Sequence, residues 1–258
     1  MNMIKMLRVS AYFVLIPLYT IVGACILFIL FPFFRRRRYV DFLQRLWMRL
    51  ILWTCGVRVS VEGLENLEQG KMYVFVANHQ SLFDIPACFA VLPARLRMLA
   101  KKELFRIPVF GWGMWTVGHI IIDRENREKA VKSVDEAADR LKREDISPVV
   151  YPEGTRSPDG KIYPFKKGAF VLAIKSKREV VPLTIIGSRK IAPKKSLVIS
   201  PGEIHLVIHR PIETDTLTLE NRGDLAKKTH DIIVERFYSD PGKITNEKVS
   251  ESSVREKS

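Results

Sequence analysis

Tyr73-Val74-Phe75-Val76-Ala77-Asn78-His79-Gln80-Ser81-Leu82-Phe83-Asp84-Ile85-Pro86 is the stretch on which the reading of this chain turns. Its first five residues are apolar without interruption and rich in β-branched and aromatic types. Such a run reads as a strand covered on both faces, as in a parallel sheet. Ile85 and Pro86 suit the first turn of a helix, where a missing N–H costs little, and Asp84 stands where an N-cap belongs. The polar residues between are then a loop at the end of a strand, the place where open α/β sheets bind ligands. His79 and Asp84 would point about 140° apart on one continuous helix, so they meet only if the helix begins between them.

Neutral imidazole accepts a proton near pH 7 without large tuning, and a neighbouring carboxylate fixes its tautomer and steadies the imidazolium that forms. The spacing leaves Asp84 either as a helix cap or as that orienting acid. No G-x-S-x-G elbow occurs, and Ser81 is too near His79 in sequence to serve as the nucleophile of a triad. His79 therefore activates a group on the substrate. A second stretch, Tyr151-Pro152-Glu153-Gly154-Thr155-Arg156-Ser157, puts an arginine behind a glycine turn. A guanidinium can grip a phosphate through two charge-assisted bonds, and Gly154 allows the backbone to come close. A base and an anion holder on one scaffold point to chemistry on a phosphorylated alcohol.

Outward from these loops, apolar strands are expected at 57–61, 73–77, 97–100, 119–122, 149–151, 180–186 and 204–208. Ala130, Val131, Val134, Ala137, Ala138 and Leu141 form the apolar face of an amphipathic helix, with Arg127, Lys132, Asp135 and Asp139 on its wet side. Further helices are expected at 168–177 and 225–237. The alternation argues for an α/β domain with a mostly parallel central sheet of about seven strands flanked by helices. His119, His205, His209 and His230 have no carboxylate at a telling spacing and read as structural or surface residues.

The N-terminus reads differently. Residues 9–34 carry no charge and are long enough to cross a hydrocarbon core, and Arg35 to Arg38 end the run abruptly. In the next segment Phe42, Leu43, Leu46, Trp47, Leu50, Trp53 and Thr54 recur at helical spacing, with Asp41, Arg45 and Arg49 as a polar stripe opposite. This pattern suits a helix lying in a membrane interface. Two arrangements stay open: a spanning helix followed by an interfacial one, or two helices dipping into a single leaflet. Lys5 and Arg8 charge the near end as the arginines charge the far end, which favours the single leaflet, and Pro17 and Pro32 permit bends. The apolar run continues past the Val22-Gly23-Ala24-Cys25 box, unlike a cleaved signal peptide. The expected division is a two-helix membrane element over 1–56, a catalytic domain over 57–240, and a disordered tail over 241–258, where apolar residues are scarce.

The 258 residues carry a formal charge of +14. The basic residues are spread along the chain and no nucleic-acid signature accompanies them, so the expected anionic partners are membrane lipids, a phosphorylated substrate and an acidic carrier. Cys25, Cys55 and Cys88 lack metal spacing and read as buried free thiols of a reducing compartment.

The N-H-x4-D block resembles the first motif of the glycerolipid acyltransferase family. Lys101-Lys102-Glu103-Leu104-Phe105-Arg106-Ile107-Pro108-Val109-Phe110-Gly111, with Gly118 to Arg124 downstream, resembles the second. The E-G-T-R block with Phe165-Lys166-Lys167-Gly168, and Val181-Pro182-Leu183, are similar to the third and fourth. Order and spacing match over roughly residues 57–210. The resemblance implies transfer of a fatty acyl group from acyl-CoA or acyl-carrier protein to the sn-2 hydroxyl of 1-acyl-glycerol 3-phosphate, with no cofactor and no metal. The alternatives are another acceptor, either glycerol 3-phosphate or another lysophospholipid, and a non-enzymatic basic membrane-binding protein. It further implies His79 as base with Asp84, and a phosphate site of Glu153, Gly154, Thr155, Arg156 and Lys101, with Arg124 as a further candidate. Because Glu153 cannot itself hold an anion, it is expected to orient Arg156 or a hydroxyl. Lys166 and Lys167 are expected to face the membrane or the donor. A cytosolic thioester places the active domain on the cytoplasmic side of the cell membrane.

Overall fold

The structure is a computed structural model that describes residues 3–30, 37–196 and 198–239, with side chains at 12, 14–27, 29, 39–196 and 198–239. The tail expected from residue 241, Pro32, and the side chains of Lys5, Arg8 and Arg35 to Arg38 lie outside the described residues.

Seven strands form one sheet among these residues: β1 (Val57–Glu62), β2 (Val74–Ala77), β3 (Leu96–Lys101), β4 (Ile120–Ile122), β5 (Ser147–Val150), β6 (Val180–Ile186) and β7 (Gly202–Ile208). The order across the sheet is β1-β7-β6-β2-β5-β3-β4, and all neighbours are parallel except β6 and β7. Eight helices accompany it: α1 (Met3–Leu30), α2 (Arg37–Thr54), α3 (Asp84–Val91), α4 (Phe110–Val117), α5 (Arg127–Arg143), α6 (Gly168–Ser176), α7 (Ser188–Ile191) and α8 (Arg222–Tyr238).

The strand pleat explains the unbroken apolar runs. Tyr73, just before β2, and Phe75 and Ala77 within it point into a core shared with Met48 and Leu52 of α2 and Ala87, Cys88 and Phe89 of α3. Val74 and Val76 point into the opposite core, built with Leu141 of α5, Phe170 and Leu172 of α6, and Leu225 of α8. Both faces of the strand are covered, so alternation disappears from the sequence. Because β2, β3, β4, β5 and β6 run the same way, their C-terminal ends, and the loops that follow them, share one edge of the sheet.

At the N-terminus α1 and α2 pack on this domain. Among the described residues no helix is long and apolar enough to cross a membrane; the apolar run over 9–34 lies only partly within them. The polar stripe of α2 turns inward. Arg45 Nη2 donates to the Leu92 carbonyl at 2.8 Å and Arg49 Nε to the Ala90 carbonyl at 3.3 Å, so two cations meet the carbonyl end of α3. Asp41 accepts from Arg95 Nε at 2.8 Å and from Arg97 Nη1 at 2.6 Å. The opposite face of α2 is apolar and outward, with Phe42 61 % and Trp53 78 % exposed. Trp47 turns the other way, and its indole donates to Thr20 Oγ1 of α1 at 3.2 Å. Of the cysteines, Cys55 and Cys88 are buried as expected, but Cys25 is exposed on α1.

Arg97 is only 3 % exposed, and Asp41 is its carboxylate. Asp41→Ala leaves a buried guanidinium unpaired and should destabilise the protein by about 3 kcal/mol. Thermal unfolding of the full chain measures this; an unchanged midpoint would show that the pair does not hold α2 to the domain.

Candidate active site

The chain leaves β2 through Asn78, whose side chain replaces a strand neighbour. Its Nδ2 donates to the Ile185 carbonyl at 2.9 Å, and its Oδ1 accepts from the Ile185 amide at 2.8 Å. This double bond to β6 lets the backbone turn out of the sheet at His79. Asp84 is then the first residue of α3, while Phe83 occupies the N-cap position without a side-chain cap bond. The expected cap is thus replaced by another arrangement. Asp84 Oδ2 reaches back and accepts from His79 Nδ1 (2.8 Å), the Gln80 amide (2.7 Å) and the Ser81 amide (2.8 Å).

An oxygen already accepting two amide hydrogens is an acceptor toward the ring as well, so Nδ1 carries a hydrogen, and in the neutral ring the lone pair is on Nε2. The imidazole is 14 % exposed and Asp84 fully buried. The ring also stacks on Tyr151, centroids 4.2 Å apart. Burial pushes the Tyr151 hydroxyl well above its ordinary range, and this neutral hydroxyl donates to Cys88 Sγ at 3.9 Å. Burial likewise raises the Cys88 thiol to about 12, which removes it as a nucleophile. Ser81 Oγ is engaged with the Ala192 carbonyl at 2.9 Å. Among the described residues no group bonds to His79 Nε2.

The loop after β5 closes on this histidine. Glu153 Oε1 accepts from the His79 amide at 2.7 Å and Oε2 from the Tyr163 amide at 3.1 Å. The Ser157 amide donates to the His79 carbonyl at 2.8 Å. Both main-chain groups of His79 are thus held by the loop that carries Arg156. This corrects the expected part of Glu153: its carboxylate is buried against backbone and orients the histidine loop, not the guanidinium. Burial raises its pKa above the usual carboxylate value, the two amide bonds only partly opposing this. Gly154 has φ +79°, and a Cβ there would lie 2.9 Å from Lys166 Nζ. Lys166, expected to face the membrane or the donor, has its ammonium close to Gly154 of this loop.

Arg156 is half-buried, and among the described residues its guanidinium has no hydrogen-bond or ion-pair partner. Lys101 ends β3, which neighbours β5 in the sheet, and is exposed, whereas Lys102 is bound to Asp123 at 2.9 Å. Arg124 follows β4 at the sheet edge, two strands from β5, or about 10 Å at ordinary strand spacing. The geometry joins the loops of His79, Asp84, Glu153, Gly154, Thr155 and Arg156, sets Lys101 at the end of the strand next to β5, and leaves Arg124 one strand further out. The other histidines lie elsewhere. His119 accepts from the Met98 amide, and burial drives its pKa to about 3; His205 contacts Glu62, His209 contacts Thr184, and His230 contacts Asp231. An apolar cavity of about 660 Å³ opens beside the first turn of α3, lined by Leu82, Phe83 and Pro86 and by Ile16 of α1, Trp47 of α2 and Met114 of α4. Asn78, Tyr151 and the cavity carried no sequence signal beyond lying in or near the motifs.

A parallel α/β sheet carries a carboxylate-held imidazole at the C-terminal ends of its strands, on a loop bonded directly to the loop of Arg156, at the edge where α/β enzymes bind their ligands. Comparison supplies the family: residues 58–186 match the Acyltransferase family model, and the chain belongs to that family. A 1-acyl-sn-glycerol-3-phosphate acyltransferase of Cocos nucifera is 30 % identical, over 91 % of this chain and 76 % of its own. The human 1-acyl-sn-glycerol-3-phosphate acyltransferase alpha is 34 % identical, over 71 % of this chain and 65 % of its own. This chain spans as little as 50 % of other curated relatives. The crystal structure of the 1-acyl-sn-glycerophosphate acyltransferase PlsC from Thermotoga maritima is similar at TM-score 0.78 and 28 % identity, covering 90 % of this chain and 93 % of that one.

Because the folded-state pKa of Glu153 is raised, the protein binds a proton there that the unfolded chain has already released. The stability this contributes is complete below the ordinary value near 4.5 and is lost as pH rises through the raised value. The unfolding free energy of the wild type should therefore fall relative to Glu153→Gln as pH climbs from 4.5 toward neutrality. Denaturant unfolding of both proteins across that range measures it, and a constant difference would contradict the desolvation of this carboxylate.

Proposed function

We propose that this chain transfers a fatty acyl group from a thioester, acyl-CoA or acyl-carrier protein, to the sn-2 hydroxyl of 1-acyl-glycerol 3-phosphate, giving phosphatidic acid. The observation that carries this reading is the 2.8 Å bond between His79 Nδ1 and Asp84 Oδ2 on a loop bonded directly to the Arg156 loop. His79 Nε2 takes the hydroxyl proton as the oxygen attacks the thioester carbonyl, and buried Asp84 stabilises the imidazolium. The C–O bond forms, the C–S bond breaks, and the thiolate leaves. With a thiol pKa near 8.5 it departs without strong acid help and can recover the proton from the imidazolium. The transfer balances without a resident cofactor.

Arg156 and Lys101 hold the phosphate, and Glu153, Gly154 and Thr155 shape the loop beneath it. The apolar cavity beside α3 has the lining and size for an acyl chain. The N-terminal pair, over 1–56, serves as a membrane element for the catalytic domain over 57–240. In support, α2 presents Phe42, Leu46 and Trp53 outward while its charges bind the domain, the reverse of a soluble surface helix. Val14, Leu18 and Ile29 of α1 and Trp112 and Trp115 of α4 are exposed as well. We place the active site at the cytoplasmic face of the cell membrane, where the thioester donor is available.

Purified enzyme supplied with 1-acyl-glycerol 3-phosphate, glycerol 3-phosphate and neutral lysolipids, each with both donors, tests the reading. Preference for another acceptor, or no transfer at all, would refute it. His79→Ala should lower kcat by about 10²–10⁴ with folding intact. Arg156→Ala should raise KM for the phosphorylated acceptor by about 10- to 100-fold, with the donor KM little changed. Retained turnover in the first variant would remove His79 as base.

A further inference from the structure

Thr155 and Arg156 lie between two anchored residues. The Gly154 amide donates to the Tyr151 carbonyl at 3.0 Å, and the Ser157 amide to the His79 carbonyl at 2.8 Å. Among the described residues the hydrogen bonds that reach Thr155 and Arg156 themselves come from one group, the Lys194 ammonium. It stands 3.0 Å from Thr155 Oγ1 and 2.7 Å from the Arg156 carbonyl oxygen. Two of its three hydrogens are used in charge-assisted bonds, which are stronger than neutral ones.

Lys194 belongs to the connection between β6 and β7, a segment outside both motif loops that touches each of them. Two residues earlier, the Ala192 carbonyl accepts from Ser81 Oγ at 2.9 Å, within the histidine loop. Five residues before Lys194, Arg189 donates to the carbonyls of Ser157 (3.2 Å) and Pro158 (2.9 Å). The connection is thus pinned to the loop of the base at one point and to the loop of the guanidinium at four others.

We propose that Lys194 is a positioning residue for Arg156, setting the backbone beneath the guanidinium and so its separation from the His79 imidazole. The proposal rests on Arg156 being the phosphate contact described above. Lys194 acts through the loop, so its removal loosens recognition of the phosphate and leaves the proton transfer at His79 in place.

Lys194→Met keeps most of the side-chain stem without the charge, and Lys194→Arg restores a cation. The full-length enzyme in detergent is assayed with 1-acyl-glycerol 3-phosphate and with 1-acylglycerol, which lacks the phosphate. Lys194→Met should raise KM for the phosphorylated acceptor about tenfold, with kcat within about threefold and the donor KM unchanged. Lys194→Arg should recover most of that loss, and turnover of 1-acylglycerol should not change. Hydrogen exchange of the Gly154 and Ser157 amides should be at least about tenfold faster in Lys194→Met, with β2 unaffected. An unchanged KM for the phosphorylated acceptor overturns the proposal, as does an equal loss with both acceptors, which a general structural defect would give. If the wild type itself acylates no phosphorylated acceptor, the function proposed above fails separately. The exchange measurement then decides alone whether Lys194 holds this loop, an unchanged rate overturning it.

Discussion

One oxygen atom, Oδ2 of Asp84, collects the hydrogen of the His79 ring and the amides of Gln80 and Ser81. A fully buried carboxylate needs such donors, because an unpaired charge away from water is costly. The two amides come from the turn that carries the histidine, so the bonds that compensate for burying the acid also fold the loop that aims the ring. Of the two offices that spacing alone left open, cap and orienting acid, the carboxylate takes the second: it faces backward along the chain to the imidazole instead of forward into its helix.

Around this atom the neighbouring elements act as supports. Asn78 closes the end of β2 onto β6, Glu153 and Ser157 hold the amide and carbonyl of His79, and Tyr151 lies under the ring. Asn78 ends β2, whereas Tyr151, Glu153 and Ser157 come from the loop after the neighbouring parallel strand β5. The parallel sheet matters for this reason: it brings loops far apart in sequence to one edge, where the loops of His79 and Arg156 share main-chain bonds.

The strands were legible because parallel strands buried on both faces leave unbroken apolar runs, and Tyr73 to Ala77 or Val180 to Ile186 admit few other readings. The pairing of His79 with Asp84 was legible from spacing and from Pro86. Glu153 was not. A carboxylate beside an arginine in sequence suggests an ion pair, whereas its partners are two backbone amides, which carry no residue identity. Lys194 was invisible for a similar reason, since a lysine in a basic chain looks like solvated charge until its acceptors are known. The polar stripe on α2 was read correctly as a stripe, but amphipathicity alone does not say which side meets the domain. Carbonyls at the end of α3 and the buried Arg97 decide that.

Arg45 and Arg49 fasten α2 to the carbonyl end of the same short helix whose first residue is Asp84. If the outer face of α2 rests among lipid headgroups as proposed, α3 becomes a rigid strut between bilayer and imidazole, with a fixed height. An acceptor floating in that bilayer by its own tail offers its free hydroxyl at a height set by its headgroup. The enzyme would then select by altitude as well as by charge, and molecules of similar chemistry that sit deeper or shallower would miss the base.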